Sequence, residues 1–68
     1  MILAELTHVV ECRWAPGRFY EVIAAFNYGT AASVYAEQCY TRNARIGIAT
    51  AYRVKEIATG EVVWTWGE

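Results

Sequence analysis

Apolar and polar positions alternate along the first part of the chain. In residues 2–14, ILAELTHVVECRW, every second side chain from Ile2 to Trp14 falls on one face, a period that is typical of a half-buried strand. The same period continues through residues 18–26, RFYEVIAAF. Proline and glycine in residues 15–17 favour a turn between the two segments, so the sequence predicts an antiparallel hairpin.

Residues 27–43, NYGTAASVYAEQCYTRN, follow a helical period instead. Asn27 is a good N-cap, and Arg42 and Asn43 suit a helix C-terminus, where a cation and a stop residue are favoured. The spacing predicts one apolar side that packs on a core. That side consists of Tyr28, Ala31, Ala32, Tyr35 and Cys39, with Val34 beside it.

The strand period returns in residues 44–57, with a bulge or break expected at Gly47 or at residues 49–51, ATA. A loop at residues 58–60 then leads into a last strand at residues 61–66. The order of elements is β-β-α-β-β. We therefore expect a single small α+β domain over residues 1–68, in which an antiparallel sheet of four to five strands carries one α-helix packed on a face.

The composition is rich in large apolar side chains for so short a chain. Of 68 residues, 56% are hydrophobic and ten are aromatic, three of them tryptophan. A domain of this size buries only about 60% of the surface that its unfolded chain exposes. We therefore expect some aromatic side chains to face a partner protein or a second copy of the chain. The net charge of −1 argues against a role in coating nucleic acid.

No pattern in the sequence indicates a secreted or membrane protein. The N-terminal residues lack a basic region followed by a long apolar run, and no apolar stretch approaches the roughly 18 residues of a membrane span. The two cysteines do not make a disulfide framework. We expect a cytoplasmic location and no membrane partner.

The cysteines and the histidine give little support for a reactive thiol or a metal site. Cys39 lies near the C-terminal end of the predicted helix, whereas reactive thiols are activated at helix N-termini or by cations, so we expect a core thiol. Four strand residues separate His8 from Cys12 by about 13 Å, too far for both to bind one metal ion. His8 is expected to be half covered, and no metal site is expected.

The evidence for a phosphate-binding or catalytic site is equally weak. Gly29 lacks the further glycines and the lysine of a phosphate-binding loop, and the geometry of a helix cap explains it. The chain has no aspartate, so a general base would have to be a glutamate. A solvated strand face is expected for Glu5, Glu11 and Glu21. We expect no cofactor and no enzymatic activity.

A nucleic-acid-binding surface is one alternative. Aromatic side chains on an open sheet can stack bases while basic side chains contact the phosphates. The candidate residues are Tyr52, Arg53, Lys55, Trp64 and Trp66. The competing interpretation makes the two tryptophans part of the core against the helix, because they share the most apolar strand face.

Residues 20–66 contain a strand ending in AAF, an alanine-bearing helix, the run EQCY at residues 37–40 and a late tryptophan, Trp64. This order resembles a short family of phage-encoded anti-CRISPR proteins that act on type I-F surveillance complexes. The resemblance implies a stoichiometric inhibitor that binds the guide-RNA-bearing backbone of such a complex and blocks target DNA. Of the family's polar helix side chains only Gln38 carries over, since small residues, Ala32, Ser33 and Ala36, occupy its basic positions.

The function expected from the sequence is therefore that of a small, non-enzymatic, phage-derived inhibitor that binds a host protein or nucleoprotein complex of bacterial defence. Exposed tyrosine and arginine side chains are typical interface anchors, and Tyr40 is expected to point away from the apolar side of the helix. The predicted contact residues are Glu37, Gln38, Tyr40, Arg42, Asn43 and Arg45. The alternatives are the single-stranded nucleic-acid binder and a structural homodimer joined through edge strands.

Overall fold

Four strands and one helix make up the fold. A computed structural model describes residues 5–14 and 17–67 of the chain. The elements are β1 (His8–Trp14), β2 (Glu21–Phe26), α1 (Gly29–Arg45), β3 (Ala49–Glu56) and β4 (Val62–Trp66). The α+β class and the position of the helix between the second and third strands are as predicted. The described residues contain four strands and not a fifth.

All four strands belong to one antiparallel sheet in the order β2-β1-β3-β4. The predicted hairpin of β1 with β2 is present, and β3 forms a second hairpin with β4. The two hairpins meet where β1 pairs with β3, a contact that sequence periodicity does not reveal. As a result β1 and β3 lie inside the sheet, whereas β2 and β4 form its two edges.

The first two strands are shorter than predicted. Residues 2–4 of the first predicted strand lie outside the described residues, and β1 begins only at His8. Likewise, β2 begins at Glu21 rather than at residue 18. The predicted turn at residues 15–17 is described only at Gly17, whose N–H donates to the carbonyl of Trp14.

The helix ends later than predicted, and a glycine ends it. Gly47 has φ +77°, a conformation that glycine adopts without a steric penalty. Its N–H donates to the carbonyl of Ala44, and the N–H of Ile48 donates to that of Asn43, both at 3.2 Å. These two bonds are those of a Schellman motif. The predicted helix end at Asn43 was therefore wrong, and β3 starts at Ala49 rather than at residue 44. Gly47 ends the helix instead of interrupting a strand. The alternative place for the bulge, residues 49–51, is confirmed, because the register of β1 with β3 shifts there.

The helix begins without the predicted side-chain cap. The N-cap position is Tyr28 rather than Asn27, and no side-chain hydrogen bond caps it. A Cβ atom on Gly29 would lie 3.2 Å from Nε2 of His8 and 3.3 Å from the ring of Trp64. Close packing of the helix on the sheet, rather than cap geometry, accounts for this glycine.

The side of α1 that faces the sheet is rotated from the predicted one. Its buried residues are Ala32, Ala36, Cys39 and Asn43. Ala32 and Cys39 were predicted correctly, but Tyr28 and Tyr35 are exposed. Small side chains let the helix approach the strands closely, and the bulky tyrosines lie outside the contact.

The core lies between α1 and one face of the sheet. Register places Val10 opposite Val54 and Cys12 opposite Tyr52, so these side chains share the helix-covered face. All four are fully buried. The opposite face carries Glu11 and its neighbours, and α1 does not cover it. The sheet therefore has one packed face and one open face, as is common for antiparallel sheets.

Candidate binding surfaces

A groove runs along the outer side of α1 near its C-terminal end. Its volume is about 520 Å³, and its lining is Glu37, Gln38, Thr41, Arg42, Arg45 and Ile46. We call it the helix-end groove. Four of the six predicted contact residues lie in it. Ile46, which follows the helix, was not predicted to belong to the site, and it is 65% exposed.

Two predicted contact residues belong to the core instead. Asn43 is buried, and its Nδ2 donates a 2.7 Å hydrogen bond to the hydroxyl of Tyr52. Tyr40 is half-buried and meets the ring of Tyr52 edge-on, with centroids 6.3 Å apart. The expectation that Tyr40 points away from the apolar side was wrong because position 40 lies beside Ala36 and Asn43 on the helical surface.

A second groove separates α1 from the edge strand β4. It has a volume of about 300 Å³ and is lined by Ser33, Val34, Glu37, Trp64, Thr65 and Trp66. Glu37 lines both grooves, so they lie next to each other on the helix. Trp64 remains 43% exposed, while Trp66 packs partly against the core. The competing interpretation of the tryptophans as core residues thus holds for Trp66 more than for Trp64.

The five residues of the predicted nucleic-acid surface do not share one face. Tyr52 is fully buried under the helix. Trp64 and Trp66 lie opposite Val54 and Tyr52 and therefore face the helix side. Arg53 and Lys55 lie on the open face, where Glu11 contacts both. The proposed combination of stacking rings and cations on one platform was wrong.

Glu11 lies at the centre of the open face, yet only 7% of it is exposed. Its Oε1 accepts a hydrogen bond of 2.5 Å from Nε of Arg53, and its Oε2 lies 3.5 Å from Nζ of Lys55. The two cations extend from alternate positions of β3 and cover the carboxylate. The prediction that Glu11 is solvated was wrong. It correctly placed Glu11 on the polar face of the strand, but it did not consider that long neighbouring side chains would cover the carboxylate.

Tyr20 orders the same cluster from its outer side. The guanidinium carbon of Arg53 lies 3.8 Å from the centre of the Tyr20 ring, and that of Arg13 lies 5.6 Å from it. Stacking on a ring and pairing with a carboxylate hold Arg53 in one orientation. Three basic side chains, Arg13, Arg53 and Lys55, thus lie on the open face around the carboxylate of Glu11. The described part of the open face is therefore predominantly cationic.

A third depression lies at the opposite end of the helix. Its lining is Glu5, Leu6, Thr7, His8, Asn27, Tyr28, Gly29, Glu56, Ile57 and Ala58. Nδ1 of His8 lies 2.7 Å from Oγ1 of Thr7, and His8 is half-buried as predicted. In the part of the chain that the structure describes, no three histidine, cysteine or acidic side chains are placed to hold a metal ion.

Both cysteines are unpaired and buried in the core. Burial raises the pKa of the Cys12 thiol, and a hydrogen bond with Tyr52 only partly offsets this effect. Cys39 lies on the buried side of the helix, as predicted, with Nη2 of Arg42 3.9 Å from its sulfur. A hydrogen bond to Cys39 raises the pKa of Tyr35.

Comparisons with known proteins add no relative from which a function could be transferred. No protein-family model matches the chain, and neither a curated protein nor a solved structure does. Over the residues that the structure describes, no helix has the length and apolar character needed to cross a membrane.

Proposed function

We propose that the protein is a small protein-binding module of the inhibitor type, which holds its partner in the helix-end groove. The observation that carries this proposal is the grouping of Gln38, Arg42 and Arg45 around the exposed side chain of Ile46. Polar and arginine side chains around an apolar centre are the usual composition of a protein interface.

The groove also indicates the kind of segment that it would hold. Ile46 offers an apolar contact, and Gln38 offers an amide that can donate and accept hydrogen bonds. Arg42 and Arg45 can each bind a carboxylate through two parallel hydrogen bonds. We therefore propose a partner loop that presents an apolar side chain beside an acidic one.

The resemblance to anti-CRISPR proteins supports the choice of target. Within the run at residues 37–40, the side chains of Glu37 and Gln38 are exposed in the groove. We propose that the target is a host protein or nucleoprotein complex of bacterial defence, bound in the cytoplasm of the host, and that the protein is phage-derived. Binding alone would then suffice for inhibition, with no catalytic step.

The test compares groove variants in a pull-down. Tagged protein is incubated with lysate, the captured partner is identified by mass spectrometry and purified, and its affinity is measured. We expect Gln38→Ala combined with Arg42→Ala to weaken binding by about a hundredfold, as two interface anchors do. Arg18→Ala, an exposed arginine away from the groove, is the matched control and should bind normally. Unchanged affinity of the double variant, with an intact circular dichroism spectrum, would overturn the proposal.

The cationic open face favours a second candidate, a single-stranded nucleic-acid binder. In this alternative Arg13, Arg53 and Lys55 would contact phosphates, and the two tryptophans on the opposite, helix-covered face would play no part. Fluorescence anisotropy with a labelled oligothymidine tests it. Three phosphate contacts predict a slope of about −2 in a plot of log affinity against log salt. No binding at low salt removes this candidate.

A further inference from the structure

The edge strand β4 lacks two of the features that usually protect a sheet edge. Exposed edges are commonly guarded by charged side chains or proline, because their free backbone groups can pair with another strand. Residues 62–66, VVWTW, contain neither. Val62, Val63 and Trp64 are all exposed along this edge. A bulge at Val63 is its one irregularity.

We propose that a second copy of the chain pairs with β4, so that two antiparallel β4 strands join two sheets into one of eight strands. An antiparallel pair of identical strands is related by a two-fold axis, and each copy then offers the same surface to the other. Such an interface closes on itself and stops at a dimer.

The distribution of charge favours this antiparallel arrangement. Glu61 precedes β4, and its carbonyl accepts a hydrogen bond from the N–H of Glu56, so two carboxylates mark this end. Trp66 lies opposite Tyr52, near the C-terminal end of the helix, where Arg42 and Arg45 are located. Antiparallel pairing brings the acidic end of each copy beside the basic end of the other. Parallel pairing would bring like charges together.

Other ways of joining two copies fit the surface less well. Stacking the open faces would oppose two cationic surfaces. Pairing through β2 would place Glu21 in the joint, and the small side chains Ala24 and Ala25 would contribute little apolar area. Pairing β2 with β4 of another copy would leave a free edge at each end and build a filament.

The dimer would also change the surroundings of the tryptophans. Both helices would lie on the same face of the joined sheet, with α1 of each copy above β3 and about three strand spacings, roughly 14 Å, between them. Helices in direct contact lie about 8–10 Å apart. The side chains of Trp64 and Trp66 from both copies would therefore fill the space between the helices. The helix-end groove stays open on each copy.

Sedimentation velocity from about 5 to about 500 µM tests the dimer, since a small interface predicts an equilibrium that shifts with concentration. We expect Val63→Lys to raise the dimer dissociation constant at least tenfold, because it places a charge in the joint. The matched control is Val22→Lys on the other edge, where the exposed fraction is 58% against 38% for Val63. This variant should dimerise like the unchanged protein.

A second measurement uses the unchanged protein and does not depend on the folding of a variant. Amide chemical shifts should move with concentration along β4 and stay constant along β2. Glu61→Arg should raise the dissociation constant through loss of charge complementarity. A monomer at every concentration overturns the proposal, and so do concentration-dependent shifts confined to β2. Partner binding by the Val63→Lys monomer tests the helix-end groove separately, because the two proposals do not depend on each other.

Discussion

The side-chain amide of Asn43 donates a 2.7 Å hydrogen bond to the hydroxyl of Tyr52, and both residues are buried. This bond joins the last turns of α1 to the middle of β3. The Tyr52 hydroxyl also forms a hydrogen bond with the thiol of Cys12 on β1. One buried polar chain thus connects the helix with both inner strands and fixes which side of the helix faces the sheet.

Replacing Asn43 by alanine should lower the free energy of unfolding by about 1–3 kcal/mol, because a buried hydroxyl loses its donor. Urea unfolding measures the change. Gln38→Ala, at an exposed position of the same helix, is the control and should have little effect. In a double-mutant cycle with Tyr52→Phe the two changes should be non-additive. Additive effects would show that the hydrogen bond does not couple the two residues.

The stability of the protein should fall in strongly alkaline solution. Burial raises the pKa of Tyr52 from its ordinary value of 10.0 to about 12, against an opposing effect of the Asn43 hydrogen bond. Between these values the unfolded chain loses a proton that the folded chain keeps, so the free energy of unfolding decreases as the pH rises. The full contribution, about 2–3 kcal/mol, is present below pH 10 and is lost as the pH passes through about 12.

Urea unfolding at about pH 9 and about pH 11 measures this slope. Tyr52→Phe should reduce it, since phenylalanine carries no ionisable group, while Tyr28→Phe at an exposed position should leave it unchanged. The raised pKa of Tyr35 contributes equally to all three proteins. Tyr52→Phe also removes the hydrogen bond that lowers the pKa of Cys12, so the raised pKa of that thiol keeps part of the slope in this variant. Identical slopes for the unchanged protein and Tyr52→Phe would assign the alkaline loss to other groups.

The periodicity of the sequence was sufficient to predict which segments are strands and which is a helix. It was not sufficient to predict which strands pair with each other. The alternation in β1 and β2 and the turn residues between the strands predicted the first hairpin. Nothing local in the sequence could predict that β1 pairs with β3, because that pairing joins residues about forty positions apart, such as Glu11 and Arg53. The end of the helix was predicted too early because asparagine often follows the last residue of a helix. In the structure Asn43 lies inside α1 and is buried in the core.

Glu11→Gln should destabilise the fold by about 2–4 kcal/mol, because two partly buried cations lose the carboxylate that pairs with them. The neutral amide of glutamine can replace the hydrogen bonds of the carboxylate only in part. Thermal or urea unfolding measures the loss. Glu21→Gln provides the matched control, since Glu21 is an exposed glutamate of the same sheet and its replacement should cost little. Equal effects of the two substitutions would contradict the conclusion that the pairing of Glu11 with Arg53 and Lys55 stabilises the fold.

Ala36→Leu should destabilise the protein by about 1–3 kcal/mol, because the larger side chain forces the helix away from β1 and β3. Leucine at the exposed position Gln38 is the control and should be nearly neutral, as both are good helix formers. Urea unfolding of both variants makes the comparison. A stable Ala36→Leu protein would mean that the helix does not pack as closely as the structure has it.

The residues of the candidate site that are exposed on the helix could be predicted from the sequence. The residues whose place depends on tertiary packing were missed. Glu37, Gln38, Arg42 and Arg45 are polar residues on the outer side of α1, and their shared groove follows from helical geometry. Ile46 was missed because an apolar residue after a helix is ordinarily assigned to the following strand. The cationic cluster was missed because Tyr20 and Arg53 are far apart in sequence.

The pairing of β1 with β3 also determines how the chain must fold. Each hairpin and the helix can form from residues that are near one another, but β1 and β3 meet only after a loop containing β2 and α1 has closed. Closing that loop costs chain entropy before any contact is gained. The meeting of the two hairpins is therefore the natural barrier to folding, and backbone amides of β1 and β3 should exchange with solvent more slowly than those of the edge strands.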